Sequence, residues 1–252
     1  MRPSDGSNGF MSAAGEIETG QREKTGEDSV PSEPKLPPRP PALKYLGLVE
    51  YIPIWQAMKS FTATRTPATR DEIWLLQHPP IYTQGLAGKP EHLLRANDIP
   101  VIKIDRGGQI TYHGPGQIVA YLLLDLRRWK LNVRELVRLM EQAVIGLLLQ
   151  YGVKARGQED APGVYVEDAK IASLGLKIKN GCCYHGISLN VDMDLLPFSF
   201  INPCGFPGLQ VTQARDAGIN APLDQLEQQL ARILIEQLER QLNSKRESTN
   251  HP

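Results

Sequence analysis

The chain has 252 residues, 41% of them hydrophobic and 22% charged, with 28 Lys+Arg set against 28 Asp+Glu. That is enough chain, of ordinary globular composition, to bury a sizeable core. Formal neutrality argues against a dedicated nucleic-acid binder. The three cysteines, two of them adjacent, make neither a disulfide framework nor a zinc spacing, so reduced thiols and a cytoplasmic location are expected.

From Met1 to about residue 43 the sequence is rich in Gly, Ser, Glu and Pro and ends in PSEPKLPPRPPA. Such a stretch cannot offset its ordering entropy by burial, so it reads as a disordered tail or as the product of a misassigned start. It has no apolar signal region and too many acidic residues for a mitochondrial presequence. Residues 44–242 read as one α+β domain and 243–252 as a flexible tail. The most apolar run, VIGLLLQY from Val144, is far shorter than the ~20 residues of a membrane helix, so no membrane contact is expected.

Within the domain, DEIWLLQ (Asp71–Gln77), IPVIKID (Ile99–Asp105) and QIVAYLLLDL (Gln117–Leu126) carry the branched and aromatic content of strands. Between the last two lies RGGQITYHGPGQ, a glycine-rich loop with an arginine placed to hold an anionic group at its mouth. A helix is predicted after Asn132, which can cap it together with Glu135, up to Gly152. Val133, Leu136, Val137, Met140, Val144, Leu147 and Leu148 supply its helical periodicity. Arg127, Arg128, Lys130, Arg134 and Arg138 cluster at its start, where positive charge opposes the helix dipole; the cluster suits either an acidic partner or a plain solvated surface. A last helix is predicted over Leu223–Leu242.

AKIASLGLKIKNGCCYHGISLNV is a hairpin about Asn180-Gly181, a turn in which both central residues tolerate positive φ. A two-residue turn pairs Leu174 with Ile187, Ala172 with Leu189 and Lys170 with Val191. Alternation then puts Lys170 on the apolar face with Ala172, Leu174, Leu176 and Ile178. That location suits either a lysine that snorkels from the strand end or a desolvated ammonium of lowered pKa. On the opposite face Gly175 meets Gly186 and Ser173 meets Ser188, leaving room for a ligand. A bulge, or Lys170 lying just outside the ladder, would bring Lys170 to that gap. Cys183 is expected in the core, with Cys182 its exposed neighbour.

FINPCGFPG sets Cys204 in a turn. Asn202 precedes a proline and is pushed toward extended backbone, and Gly205 relaxes the other side, so the turn can present the thiol to a cleft. A nearby ammonium would favour its thiolate, and Lys170 is the candidate. Backbone amides of the glycine-rich segments or of Cys204 are candidate oxyanion donors.

Three stretches in this order, Arg106-Gly107-Gly108-x-x-Thr111-Tyr112-His113-x-x-Gly116-Gln117, APGVYVEDAKIASLGLKI and FINPCGFPG, closely resemble the octanoyl–protein transferases (lipoate–protein ligase B family). The resemblance covers about Tyr45–Leu242. It implies the biotin/lipoate ligase-like fold, a mostly antiparallel mixed sheet flanked by helices. It also implies transfer of an octanoyl group from acyl carrier protein to a lysine of a lipoyl domain, with Cys204 as nucleophile and Lys170 as its partner acid/base. The acceptors would be lipoyl domains of 2-oxoacid dehydrogenase complexes and the glycine cleavage H protein. Carried over residue by residue, the acyl-binding positions are Arg106, Gly107, Gly108, Gln109, Ile110, Thr111, Tyr112 and His113, then Ser173, Leu174 and Gly175, then Gly186, Ile187 and Ser188. His113 is expected to orient the substrate or the Cys/Lys pair. Thioester exchange is nearly isoenergetic and amide formation runs downhill, so neither ATP nor a metal is expected. The rival readings are an ATP-dependent lipoate or biotin ligase on the same fold, and a non-catalytic protein that docks carrier domains.

Overall fold

The computed structural model describes residues 39–247, and the expected N-terminal tail falls almost wholly outside them. The helix expected after Asn132 is α2, Val133–Gln150. Its capping box is complete: Asn132 Oδ1 accepts from Glu135 N at 2.9 Å, and Asn132 N donates to Glu135 Oε2 at 2.9 Å. The last helix, α3, runs Leu223–Glu247 and so continues past Leu242. A further helix, α1 (Tyr51–Ala63), has no side-chain cap and carries Pro53 in its first turn, where proline is tolerated.

Seven strands form the main sheet in the order β1 (Ala42–Leu48), β2 (Glu72–Gln77), β6 (Gln117–Asp125), β10 (Cys182–Asn190), β9 (Ala169–Lys179), β8 (Gly163–Val166), β7 (Arg156–Gly157). A second sheet places β3 (Ile81–Gln84) between β4 (Val101–Lys103) and β5 (Ile110–His113). Only the β1–β2 and β3–β4 pairs are parallel, so the sheets are mixed and mostly antiparallel.

The strands sort their side chains by alternation. Ile73, Leu75, Ile118, Ala120 and Leu122 join α2 and α3 in one core, while Trp74, Leu76, Val119, Tyr121 and Leu123 join α1 in another on the opposite face. A third core, with Tyr82, Ile110, Tyr112 and Phe198, lies on one side of the small sheet.

The basic cluster before α2 divides. Arg128 donates to Asp71 Oδ2 at 3.0 Å and to the carbonyls of Thr69 and Pro67, each at 2.9 Å. It is therefore a structural arginine, unavailable to a partner. Arg127 is paired with Asp125 at 3.1 Å, whereas Arg134 and Arg138 are exposed. Arg127 also covers the hairpin end, so Cys182 is buried rather than exposed, its sulfur 4.0 Å from Arg127 Nη2.

Asp71 is fully buried and joins four groups: the guanidinium of Arg65, Arg128 Nη1, Trp129 Nε1 at 2.8 Å and Asp125 N at 2.9 Å. Removing the carboxylate strands two cations in a dry site. Asp71→Ala is expected to cost about 3–5 kcal/mol, as breaking a buried ion pair does, and to lower Tm by on the order of 10 °C. Calorimetry checks this; a shift within 2 °C or so would mean the arginines find water instead.

Candidate active site

Strand β9 carries one residue more than β8 can match. Val164 faces Ala172 but Tyr165 faces Lys170, so Ile171 is the extra residue of a bulge. Ile171 and Ala172 both join the helix-side core, and Lys170 emerges on the other face, beside the small residues. Its expected partner Val191 is replaced by Val211: Lys170 N donates to Gln210 O and Thr212 N to Lys170 O, both at 2.9 Å. The rest of the expected register holds, with Gly175 opposite Gly186 and Ser173 opposite Ser188.

Lys170 is 2% exposed. Its Nζ donates to Pro162 O at 3.2 Å and to Cys204 Sγ at 3.3 Å, and sits 5.1 Å from the centre of the Tyr165 ring. A methyl on Gly163 would lie 2.8 Å from Lys170 Cε, so only glycine leaves the ammonium its place. Burial pulls the Lys170 pKa down, but the Cys204 charge and the contacts with Tyr165 outweigh it, and the net direction is upward. The lowered pKa expected from burial alone is thus corrected: the lysine is held as an ammonium.

Cys204 occupies a short helical turn, 203–205, after Asn202 in extended backbone (φ −91°, ψ 97°). Cys204 itself is left-handed, with φ 57°, a conformation that costs a non-glycine residue about 1–3 kcal/mol. Asn202 N donating to His92 O at 2.8 Å, and Gly205 N to Asn202 O at 2.9 Å, hold it there. An ammonium against a half-exposed sulfur can stabilise a thiolate and exchange a proton with whatever that sulfur attacks.

Both residues open on a cavity of about 330 Å³, toward the small end of ligand pockets at about 300–1,000 Å³. Its lining draws on both faces of the main sheet, Val119 and Tyr121 from one and Leu174 and Ile187 from the other, together with Val133 and Val137 of α2. Residues Arg106–Thr111 and His113, Ser173–Gly175 and Gly186–Ser188 all line it. Tyr112 does not. Its ring packs at 5.6 Å from Tyr82 and 5.4 Å from Phe198, on the far side of the small sheet. Arg106 is not open at a mouth either; it is 8% exposed and lies over Gly175, where a methyl would come 2.8 Å from its Cδ.

A buried polar chain continues from Arg106. Its Nη2 donates to Thr83 Oγ1 at 2.9 Å, which in turn bonds His113 Nε2 at 3.2 Å. His113 Nδ1 bonds Gln117 Oε1 at 2.7 Å, and Gln117 Nε2 donates to Asn190 Oδ1 at 2.9 Å. Because Gln117 Oε1 can only accept, Nδ1 carries the proton and Nε2 accepts from Thr83. Burial, then neighbouring His78, holds the His113 pKa down at about 3. It is a neutral link to Arg106, with no bond to Cys204 or Lys170. Thr83 and Asn190 were not singled out in the sequence, although a polar residue inside an apolar strand is the signal that marks both.

Residues 51–243 match the lipoyl protein ligase A/B catalytic domain family. An octanoyltransferase of Nitrosomonas europaea is 67% identical over 196 residues, 78% of this chain and 96% of that protein. One of Chromobacterium violaceum is 58% identical over 83% of this chain and 99% of its own length. The chain belongs to the octanoyltransferase (lipoate–protein ligase B) family. Among solved structures, the bi-partite lipoate protein ligase of Thermoplasma acidophilum superposes with a TM-score of 0.62 at 17% identity, covering 79% of this chain and 84% of that one. A lipoate-protein ligase A bound with ATP gives 0.66 at 17% identity, covering 80% and 86%. Family members at high identity and ligases at low identity therefore share one fold.

Three buried histidines with lowered pKa values, His78, His113 and His185, make this region acid-labile. Burial holds His78 down at about 4 and His113 at about 3, against about 6.5 in the unfolded chain. Below pH 6.5 the unfolded state binds more protons, so stability is lost as pH falls from there toward 4. From His78 and His113 alone the slope is expected near 2.5 kcal/mol per pH unit around pH 5. Urea titrations at a series of pH values read it, and a flat profile from 6.5 to 4.5 would mean the rings charge inside the fold.

Proposed function

We propose that this chain transfers an octanoyl group from the phosphopantetheine thiol of octanoyl-acyl carrier protein to a lysine ε-amine of a lipoyl domain, through a thioester on Cys204. The observation that carries the reading is the 3.3 Å contact between Cys204 Sγ and Lys170 Nζ at the wall of a cavity. Kinship with proteins named octanoyltransferases supports the acyl group.

The proton balance closes around Lys170. Cys204 as thiolate attacks the donor thioester, and the carbonyl passes through a tetrahedral oxyanion. The donor's thiolate leaves and takes a proton from the Lys170 ammonium. The neutral amine of the incoming lysine then attacks the acyl-Cys204 carbonyl, and neutral Lys170 takes the one proton that nitrogen sheds as the amide forms. Cys204 leaves as thiolate beside a restored ammonium. The upward direction of the Lys170 pKa suits this cycle, since the resting state needs the proton stored there. No phosphate or metal enters any step.

Arg134 and Arg138 stand exposed on the helix whose Val133 and Val137 edge the cavity, a setting that suits an acidic acyl carrier protein. The acceptors, lipoyl domains of 2-oxoacid dehydrogenase complexes and the glycine cleavage H protein, belong to this reading.

Intact-mass spectrometry after mixing with octanoyl-acyl carrier protein, without ATP, is expected to find a hydroxylamine-labile octanoyl adduct. Cys204→Ser loses it, and Lys170→Ala slows its formation at least about 100-fold. Acylation of a lipoyl domain that appears only with ATP, and with no adduct, would replace this reading by that of a ligase. A folded protein that binds carrier domains yet acylates nothing would make it a docking module.

A further inference from the structure

Arg106 is a buried cation with no carboxylate bonded to it among the described residues. Its bonds go to neutral acceptors: Nη2 to Thr83 O at 2.6 Å and Thr83 Oγ1 at 2.9 Å, and Nη1 to Gly107 O at 2.9 Å. Of its five N–H groups these use three, leaving Nε–H and one Nη1–H without an acceptor among the described residues. Burying a guanidinium this way is costly unless the charge is used.

The ionisable groups that favour its charge are Tyr51, Cys204 and Tyr121. Burial raises the pKa of both tyrosines, which keeps them neutral. Of the three, this leaves Cys204, whose side chain lines the same cavity as Arg106, to face it with a negative charge as the thiolate. When a Cys204 thiolate attacks a thioester, a sulfur–carbon bond forms and the carbonyl π pair moves to oxygen, so the charge leaves the sulfur for that oxygen.

We propose that Arg106 is a catalytic residue of the acyl transfer, its free Nε–H and Nη1–H donating to the acyl oxygen as charge arrives there, and that Thr83, His113, Gln117 and Asn190 are positioning residues that aim it. The inference rests on the transfer reading above. Lys170 serves the sulfurs and the amine proton, while Arg106 serves the oxygen. The chain of bonds ends at Asn190 Nδ2, which donates to Thr212 O at 3.0 Å, and Thr212 N bonds Lys170 O at 2.9 Å. The supports of the two cations are thereby joined. Gly175 has its place in the same scheme, since a side chain there would push the guanidinium off the sheet.

The test separates the oxygen from the sulfur. Rapid-quench acylation by octanoyl-acyl carrier protein, followed by intact mass, is compared with alkylation by iodoacetamide at a pH where the thiol is ionised. Alkylation forms no oxyanion. Arg106→Gln is expected to slow acylation by about 100- to 1,000-fold, the loss typical of one oxyanion donor, with alkylation changed less than about threefold. Thr83→Val should lower kcat by roughly tenfold with KM for the donor unchanged, and Thr83→Ser should restore it; calorimetry verifies folding of each variant. Acylation unaffected in Arg106→Gln, or acylation and alkylation falling in parallel, overturns the role at the oxygen and leaves the transfer reading standing. Wild-type protein that forms no adduct overturns both.

Discussion

An ammonium that is 2% exposed has lost its water, and everything near Lys170 follows from replacing that water. Pro162 supplies a carbonyl, Tyr165 a ring face, and Cys204 a sulfur that can take the negative charge. Any one of these alone would leave the burial uncompensated, and a buried lysine in apolar surroundings would then surrender its proton. With all three in place the proton stays. The position of the cysteine turn, the glycine at 163 and the bulge at Ile171 are three ways of meeting that one requirement.

The bulge also explains which part of the site was legible in the sequence. Strict alternation along β9 is sound from Ala172 to Lys179, and the Asn180-Gly181 turn sets the register of Ser173, Gly175, Gly186 and Ser188 correctly. It fails at Lys170 because one inserted residue reverses every face beyond it, and nothing in AKIAS announces the insertion. Simple alternation puts the lysine and the small-residue gap on different faces, and either a bulge or a lysine just outside the ladder would reconcile them; the structure has the bulge, at Ile171. Helix α2 was legible because its cap and its periodicity agree. Helix α1 was not, since YIPIWQAMKSF mixes proline and aromatics without a cap and is held by tertiary packing of Tyr51 and Met58. Arg128 and Cys182 were misplaced for a related reason. Their surroundings, Asp71 for one and Arg127 for the other, come from elsewhere in the fold or from a turn that sequence spacing does not orient.

The two cations of the cavity differ in kind, and the difference matches the two charges the proposed reaction moves. A lysine can give up its proton and take it back, each of which a thiol-to-amine transfer demands once per cycle. An arginine cannot, so it is suited to an oxygen whose charge appears and vanishes without a proton. The neutral chain through Thr83, His113 and Gln117 fits that second task. His113 is kept uncharged by its burial, and in that state it accepts a bond rather than competing with Arg106 as a third cation.

The fold alone selects none of this. Ligases with 17% identity superpose on the same sheets and helices, so the architecture is compatible with nucleotide-driven chemistry. Two local departures from regular backbone build the Cys204–Lys170 pair in this chain. One is the left-handed Cys204 between Pro203 and Gly205; the other is the extra residue that brings Lys170 across the sheet. Each costs stability where it stands, and the other side supplies what offsets the cost: the lysine gives the strained cysteine a partner, and the cysteine gives the buried lysine a counter-charge. A mutual arrangement of this sort resists drift at either position, since losing one group leaves the other's strain or burial uncompensated.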